Sequence, residues 1–278
     1  MNWFTDWVKP KLKNKALKES DSNLWIKCTG CEKMIFREKY EKFLSVCPEC
    51  GFHGRLSALG RIKHTLDEGF ELIEFKASKK DPISFYDVSS YIEKIKKAQS
   101  RTGLEDACLV ARGKILGREC IVLAMDFAFI GGSMGTFVGN SIFGACEMAE
   151  ENNLPFITFS SSGGARMQEG LFALMQMPRS VLAIKSLKNA KLPYISVMCD
   201  PTTGGVEASF SMLGSINISE PKATIGFAGI RVIKETINQE LPKGFQKSEF
   251  QFKHGYLDQI IERSKMKDEL SKVLRILN

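Results

Sequence analysis

The chain has 278 residues, 44% of them hydrophobic and 26% charged. These are values of a folded globular protein, long enough for one large domain plus a small module, and they exclude collagen, coiled coil and wholesale disorder. Net charge is +7 but unevenly spread, because residues 1–80 alone carry 16 Lys+Arg against 11 Asp+Glu. That favours an anionic partner at this end (a phosphate-bearing ligand, nucleic acid or an acidic subunit) or else a solvated basic surface. No apolar run reaches the roughly 18 residues that cross a bilayer. The start, MNWFTDWVKPKLKNK, has no apolar core behind a basic stretch. The expectation is a cytoplasmic protein with no membrane partner.

Behind an amino-terminal extension (1–24) comes Cys28-Thr-Gly-Cys31, then fifteen residues, then Cys47-Pro-Glu-Cys50-Gly. Each CxxC turn aims two thiolates at one ion, and two such turns complete a tetrahedron. Cys28, Cys31, Cys47 and Cys50 are therefore expected to hold one Zn2+. Four thiolates leave no open position, so the zinc is structural; two disulfides are the alternative. Gly30, Pro48 and Gly51 suit the tight turns, and MIFREKYEKFLSVC between them has room for a short hairpin. His53, just beyond, is read as surface or packing. The ribbon spans 25–56. Its basic and aromatic residues interleave (Lys27, Lys33, Phe36, Arg37, Lys39, Tyr40, Lys42, Phe43), which leaves open a nucleic-acid footprint or a docking surface. The other cysteines, Cys108, Cys120, Cys146 and Cys199, sit in apolar surroundings and read as small buried hydrophobes.

The rest, 57–278, reads as one domain. Residues 57–102 look helical and polar, broken at KKDPIS. SALGRIKHTLDEGFELI has near-helical spacing, with His64 on or near its surface, and SSYIEKIKKAQSRTG is an amphipathic helix closed by Gly103. From 107, ACLVARGKILGRECIVLAMDFAFIGGSMG reads as two or three strands with a turn near Gly117 and a glycine-rich loop. The helix-like FVGNSIFGACEMAEENN follows. Then the chain echoes itself: LPFITFSSSGGAR from Leu154 returns 38 residues later as LPYISVMCDPTTGGV from Leu192. A shorter third strand is expected in KATIGFAG. Repeated strand–turn–helix units predict a right-handed α/β superhelix with mostly parallel strands. ARMQEGLFALMQMPRSVLAIKSLKNA should form a long helix with its Met-rich face in the core.

Both glycine pairs, Gly163-Gly164 and Gly204-Gly205, precede a helix start, where N–H groups lack partners and the dipole is positive. Glycine lets a substrate oxygen approach them, as in an oxyanion hole, and FIGGSMG offers a further donor. A tight strand-to-helix turn is the plainer alternative. Gly131-Gly132-Ser133-Met134-Gly135 matches the hydrolase elbow. His254 is the only histidine after Ser133, however, and sits in a polar carboxy-terminal stretch. With glycines and no evident acid–base residue, the site suits enolate formation from a thioester in which another reactant takes the proton. Loss of CO2 from carboxybiotin leaves a ureido anion that can do so.

WIKCTGC…CPECG, FAFIGGSMG, SSSGGARMQEG, LPYISVMCDPTTGGV, EPKATIGFAG and LPKGFQKSEF resemble, in order from about Trp25 to Ile261, the β subunits of bacterial acetyl-CoA carboxylase carboxyltransferase. The resemblance implies a crotonase-like ββα superhelix behind a four-cysteine zinc ribbon. It implies pairing with a separate α subunit as a heterotetramer, together with biotin carboxyl carrier protein and biotin carboxylase. The carboxyl group would move from carboxybiotin to acetyl-CoA, giving malonyl-CoA for fatty acid synthesis. Carried over, Gly204 and Gly205 form an oxyanion hole, and a side chain at Gly204 should block transfer while sparing the fold. The crotonase pattern adds Gly132, Gly164 and Ala165 as further donors. Arg166 serves an anionic group such as CoA, or a structural salt bridge. The alternatives are another acyl-CoA of propionyl or methylmalonyl type, or nucleic-acid binding through the ribbon.

Overall fold

The computed structural model describes residues 24–75 and 80–277, in two units divided between Gly54 and Arg55. The expected extension over 1–24 lies, but for Leu24, outside them. In the first unit β1 (Trp25–Lys27) pairs antiparallel with β2 (Met34–Phe36), Ile26 opposite Ile35. The hairpin therefore spans the first cysteine turn. The segment expected as a hairpin between the two CxxC motifs instead runs from β2 into a helix, Arg37–Lys42. The ion pairs Arg37–Glu41 and Glu38–Lys42, four apart on one face, favour that choice. His53 is buried and lies outside the cysteine cluster.

The second unit carries one sheet of eight strands: β3 (Glu71–Ile73), β4 (Cys108–Ile115), β5 (Arg118–Met125), β6 (Phe156–Ser162), β7 (Tyr194–Thr203), β8 (Ile216–Ser219), β9 (Ile225–Gly226) and β10 (Gln259–Ile260). The order is β10-β8-β7-β6-β5-β4-β3, with β9 added at the far end of β7. Pairing is parallel from β5 to β10 and antiparallel among β3, β4 and β5. Leu116 and Gly117, both at positive φ, make the two-residue turn between β4 and β5. The Asp67 carboxylate accepts from both of their N–H groups. This ends the first expected helix early. Only Ala58–Thr65 is helical; Gly69 takes φ +84, and Glu71–Ile73 becomes the edge strand.

Alternate residues of β5 enter two different cores, which is why RECIVLAM is almost wholly apolar. Ile121 and Leu123 pack with Ile142 of the helix Thr136–Asn152, Leu187 of Gln176–Asn189, and Tyr91. Val122 and Ala124 pack with Ile62 and with Leu270 of the final helix, Met266–Leu277. The 38-residue echo is the register of the sheet itself, Phe156 facing Tyr194 and so on to Ser160 facing Met198. The offset then slips to 40 at Ser162–Thr202. Thr202 Oγ1 pins the slip by donating to the Ser160 and Cys199 carbonyls. The expected third copy supplies only β9, and β8, which the echo does not announce, lies beside β7.

The segment after Arg166 departs from expectation. It breaks into Leu171–Leu174 and Gln176–Asn189, and its apolar face is largely outside the core. Met167, Leu171, Phe172, Leu174, Met175 and Leu182 are all exposed, Leu171 at 68%.

Candidate functional site: a four-cysteine centre and two glycine-paired loops

Cys28 and Cys50 Sγ are 3.7 Å apart, Cys31 and Cys47 Sγ 3.9 Å, and all four lie within 4.8 Å of one another. A tetrahedral ion with Zn–S of about 2.3 Å sets sulfurs about 3.8 Å apart, whereas a disulfide needs about 2.05 Å. The donors thus fit zinc and not disulfides. Electrostatics agree. Burial opposes the Cys28 thiolate, yet the N–H groups of Cys31 and Gly30 and the neighbouring thiols bring it down to about 7. At Cys50 the Phe52 N–H favours the thiolate, but burial and the three other cysteines push it up to about 12. A divalent cation removes this conflict by ionising all four. The cluster is a closed, structural zinc site.

In the second unit the loops after β6 and β7 meet main chain to main chain. A Cβ on Gly164 would stand 3.2 Å from Gly204 Cα and Gly205 N; one on Gly204 would stand 3.0 Å from Gly164 Cα and 3.1 Å from Gly163 O. Gly164 and Gly204 also have φ of +120° and +62°. Both the contact and the dihedral therefore require glycine. The third loop joins them: Gly163 N–H donates to Gly131 O (2.9 Å), Met134 N–H to Gly164 O (2.8 Å) and Arg166 N–H to Met134 O (2.9 Å).

Hydrogen bonding sorts the expected donors. The Gly132 N–H donates to Phe129 O (2.9 Å), Gly164 to Ser162 Oγ (3.0 Å) and Gly204 to Phe227 O (3.0 Å). These three N–H groups, expected to face a substrate oxygen, each already have an acceptor in this chain. Among the described residues no acceptor takes the N–H of Ala165 or of Gly205. The two are neighbours, since a Cβ on Gly205 would touch Ala165 Cβ at 3.4 Å.

Arg166 is not open to an anionic ligand. It is fully buried. Its Nη1 and Nη2 grip Asp106 at 2.8 and 2.6 Å, Nη1 donates to Tyr91 Oη at 3.0 Å, and Nε and Nη2 hold Ser133 Oγ and O at 3.0 and 2.7 Å. Burial alone would lower its pKa, but the Asp106 charge overrides this and holds it above the ordinary range. Glu169 completes the group: Oε1 accepts from Tyr91 Oη (2.7 Å) and Oε2 from Thr136 N (2.7 Å). It thereby caps the helix Thr136–Asn152, whose N-cap Gly135 has no side chain to do so. Tyr91, Asp106 and Glu169 were not singled out from the sequence. Tyr91 and Asp106 lie 75 and 60 residues from Arg166, and no local spacing signals such a pairing.

The hydrolase elbow has no relay. Ser133 Oγ accepts from Arg166, Asp200 Oδ1 accepts from Thr224 N (2.8 Å), and exposed His254 turns Nδ1 to Phe250 O of its own helix.

Comparison with known proteins agrees with the fold and with the metal cluster. The carboxyl transferase domain family matches residues 79–244, and the acetyl-CoA carboxylase zinc finger domain family residues 25–50. Over its whole length the chain is 47% identical to the acetyl-coenzyme A carboxylase carboxyl transferase subunit beta of Granulibacter bethesdensis, covering 91% of that protein. It is 45% identical to that of Novosphingobium aromaticivorans, covering 98% of it. Its fold is similar to a Pseudomonas malonate decarboxylase heterodimer (TM-score 0.62, 23% identity, 80% of this chain and 86% of that one). It is also similar to the transcarboxylase 12S core (TM-score 0.66, 23% identity, 85% and 42%). The mixed sheet behind a zinc ribbon is thus that of a crotonase-like carboxyltransferase, and the chain belongs to the family of acetyl-CoA carboxylase carboxyltransferase β subunits.

Proposed function

We propose that this chain, paired with a separate carboxyltransferase α subunit, transfers the carboxyl group of carboxybiotin, borne by a carrier protein, to acetyl-CoA, giving malonyl-CoA. The observation that carries the reading is that Ala165 and Gly205 pack against each other and that neither N–H has an acceptor in this chain among the described residues. The thioester carbonyl oxygen of acetyl-CoA accepts from them, and they hold the negative charge that grows there as the methyl group loses a proton. Cleavage of the N–CO2 bond of carboxybiotin releases CO2 and leaves a basic ureido nitrogen. That nitrogen takes the methyl proton, and the enolate carbon bonds to CO2. The loops then need only hold the reactants together and stabilise oxyanions. Zinc, bound by Cys28, Cys31, Cys47 and Cys50, braces the ribbon and takes no part in these steps.

The exposed face of Met167, Leu171, Phe172, Leu174, Met175 and Leu182 supports a partner subunit. The run begins one residue after Arg166, and so many large apolar side chains exposed within sixteen residues suit a covered surface. The nucleic-acid reading is weaker. Lys27, Lys33, Arg37 and Lys42 of the ribbon each pair with a glutamate, which neutralises much of the basic footprint that nucleic-acid binding needs.

The test is carboxyl exchange between malonyl-CoA and biocytin, with this chain alone and with the α subunit. Exchange only with the partner is expected. Exchange by the chain alone would refute the split site, and a clear preference for propionyl over acetyl groups would refute the substrate. No exchange by a folded, zinc-loaded pair would refute the reaction.

A further inference from the structure

We infer that Arg166 is a positioning residue: its buried guanidinium ties the loop Ile130–Gly135 to the loop Gly163–Gly170 and thereby sets the direction of the Ala165 N–H. The inference rests on the carboxyltransferase reading above and goes beyond it. Ala165 sits between two residues whose main chains bond to the same neighbour. Met134 N–H donates to Gly164 O, and Arg166 N–H donates to Met134 O. This single parallel bridge turns the Ala165 N–H away from Met134. The bridge is isolated, and the other main-chain bond between these loops, Gly163 N–H to Gly131 O, lies on the amino-terminal side of Gly164. On the carboxy-terminal side of Ala165 the Arg166 side chain holds the loops together, turning back onto the residue preceding Met134 and taking both Ser133 Oγ and Ser133 O. Asp106 and Tyr91, from outside both loops, lock the guanidinium in place.

Glu169 closes the link at the other end. It binds Tyr91 and caps Thr136, and a Cβ on Gly135 would overlap its carboxylate. The Ala165 donor is therefore framed on each side by residues joined through one buried charge cluster. Lysine at 166 keeps the charge for Asp106. It has a single nitrogen, though, and lacks the planar fork that spans Asp106 and Ser133 at once.

The experiment compares Arg166→Lys with Leu270→Ala in the reconstituted α–β complex. Leu270 is buried in the core on the other face of the sheet, a cluster that includes no residue of either loop. Both variants lower Tm. Arg166→Lys is expected to lower kcat of carboxyl exchange at least tenfold with KM for the acyl-CoA within twofold, while Leu270→Ala leaves kcat within twofold. If Arg166→Lys does not fold, Ser133→Ala removes one of the two bonds to Arg166, and a kcat loss of about threefold with unchanged KM is expected. Unchanged kcat in the folded Arg166→Lys or Ser133→Ala chain, or loss that simply follows Tm in both Arg166→Lys and Leu270→Ala, would overturn the inference alone. Failure of the unaltered complex to exchange would overturn the carboxyltransferase reading and this inference with it.

Discussion

Replacing Gly204 and Gly205 by alanine, one at a time, separates packing from chemistry in the second glycine pair. At Gly204 the φ is +62°, and the new Cβ would press on Gly164 Cα at 3.0 Å and Gly163 O at 3.1 Å. The left-handed backbone costs roughly 1–2 kcal/mol with a side chain, and crowding two backbones adds about 1–3 kcal/mol. The sum, about 2–5 kcal/mol, is a large part of the 5–15 kcal/mol that holds a typical fold. For a domain of this size it corresponds to a Tm lower by roughly 4–20 °C. At Gly205 the first obstacle is Met177 Sδ at 2.9 Å, the end of a flexible side chain, so the cost stays below about 1.5 kcal/mol. Thermal melting of the zinc-loaded chain measures the difference, and carboxyl exchange with the partner subunit measures the site. Gly204→Ala should melt early and lose most exchange; Gly205→Ala, which keeps its N–H, should melt near the parent. Equal melting temperatures would falsify the claim that the two loops touch through Gly204. The same contact corrects the expectation that a bulky residue at Gly204 spares the fold: Gly204→Val adds a branch to an already occupied space.

Cys47→Ala is expected to take zinc content from one ion per chain to nearly none and to unfold the ribbon, as read by metal analysis and proteolysis; retained zinc would mean a different ligand set. His64 is half buried with Nε2 at 3.0 Å from Arg263 O, and burial, reinforced by the charges of Arg61, Lys267 and Arg263, depresses its pKa despite that carbonyl. A lowered folded value means its contribution is complete above the unfolded value near 6.5 and declines as pH falls through it. Between pH 7.5 and 5.5, Tm should fall less in His64→Gln than in the parent, and parallel slopes would dismiss the assignment. Phe172→Lys, on the exposed apolar face, should leave Tm within about 3 °C and weaken association with the α subunit about tenfold or more; unaltered co-elution and exchange would show that the partner docks elsewhere.

Much was legible locally. Two CxxC turns fifteen residues apart are enough to bring four sulfurs to one ion, because each turn is a few-residue geometry that glycine and proline help to set. The echo at 38 residues is the parallel register of β6 on β7, since two copies of one strand–turn–helix unit stack with equivalent residues opposite. The apolar run of β5 announces a strand buried on both faces.

Other features depend on atoms that approach only in three dimensions. The sequence reading offers Gly204 and Gly205, and behind them Gly132 and Gly164, all as oxyanion donors. Their hydrogen bonds separate them: the Phe227 carbonyl, from a distant segment, meets the Gly204 N–H, whereas the Ser162 hydroxyl, two residues away, meets that of Gly164. The Arg166 charge has the same appearance in sequence whether it faces a ligand or a carboxylate. Asp106 and Tyr91, brought in from distant segments, decide for the carboxylate. The Met-rich segment carries helical periodicity, but periodicity identifies an apolar face and not what covers it. The fold leaves Leu171 and Leu182 to solvent in this chain. Short spacings along the chain were thus enough for the metal ligands, the strand repeat and the family. That the Gly204 N–H is closed and the Arg166 charge internal came from the packed fold, because Phe227, Asp106 and Tyr91 arrive from distant segments.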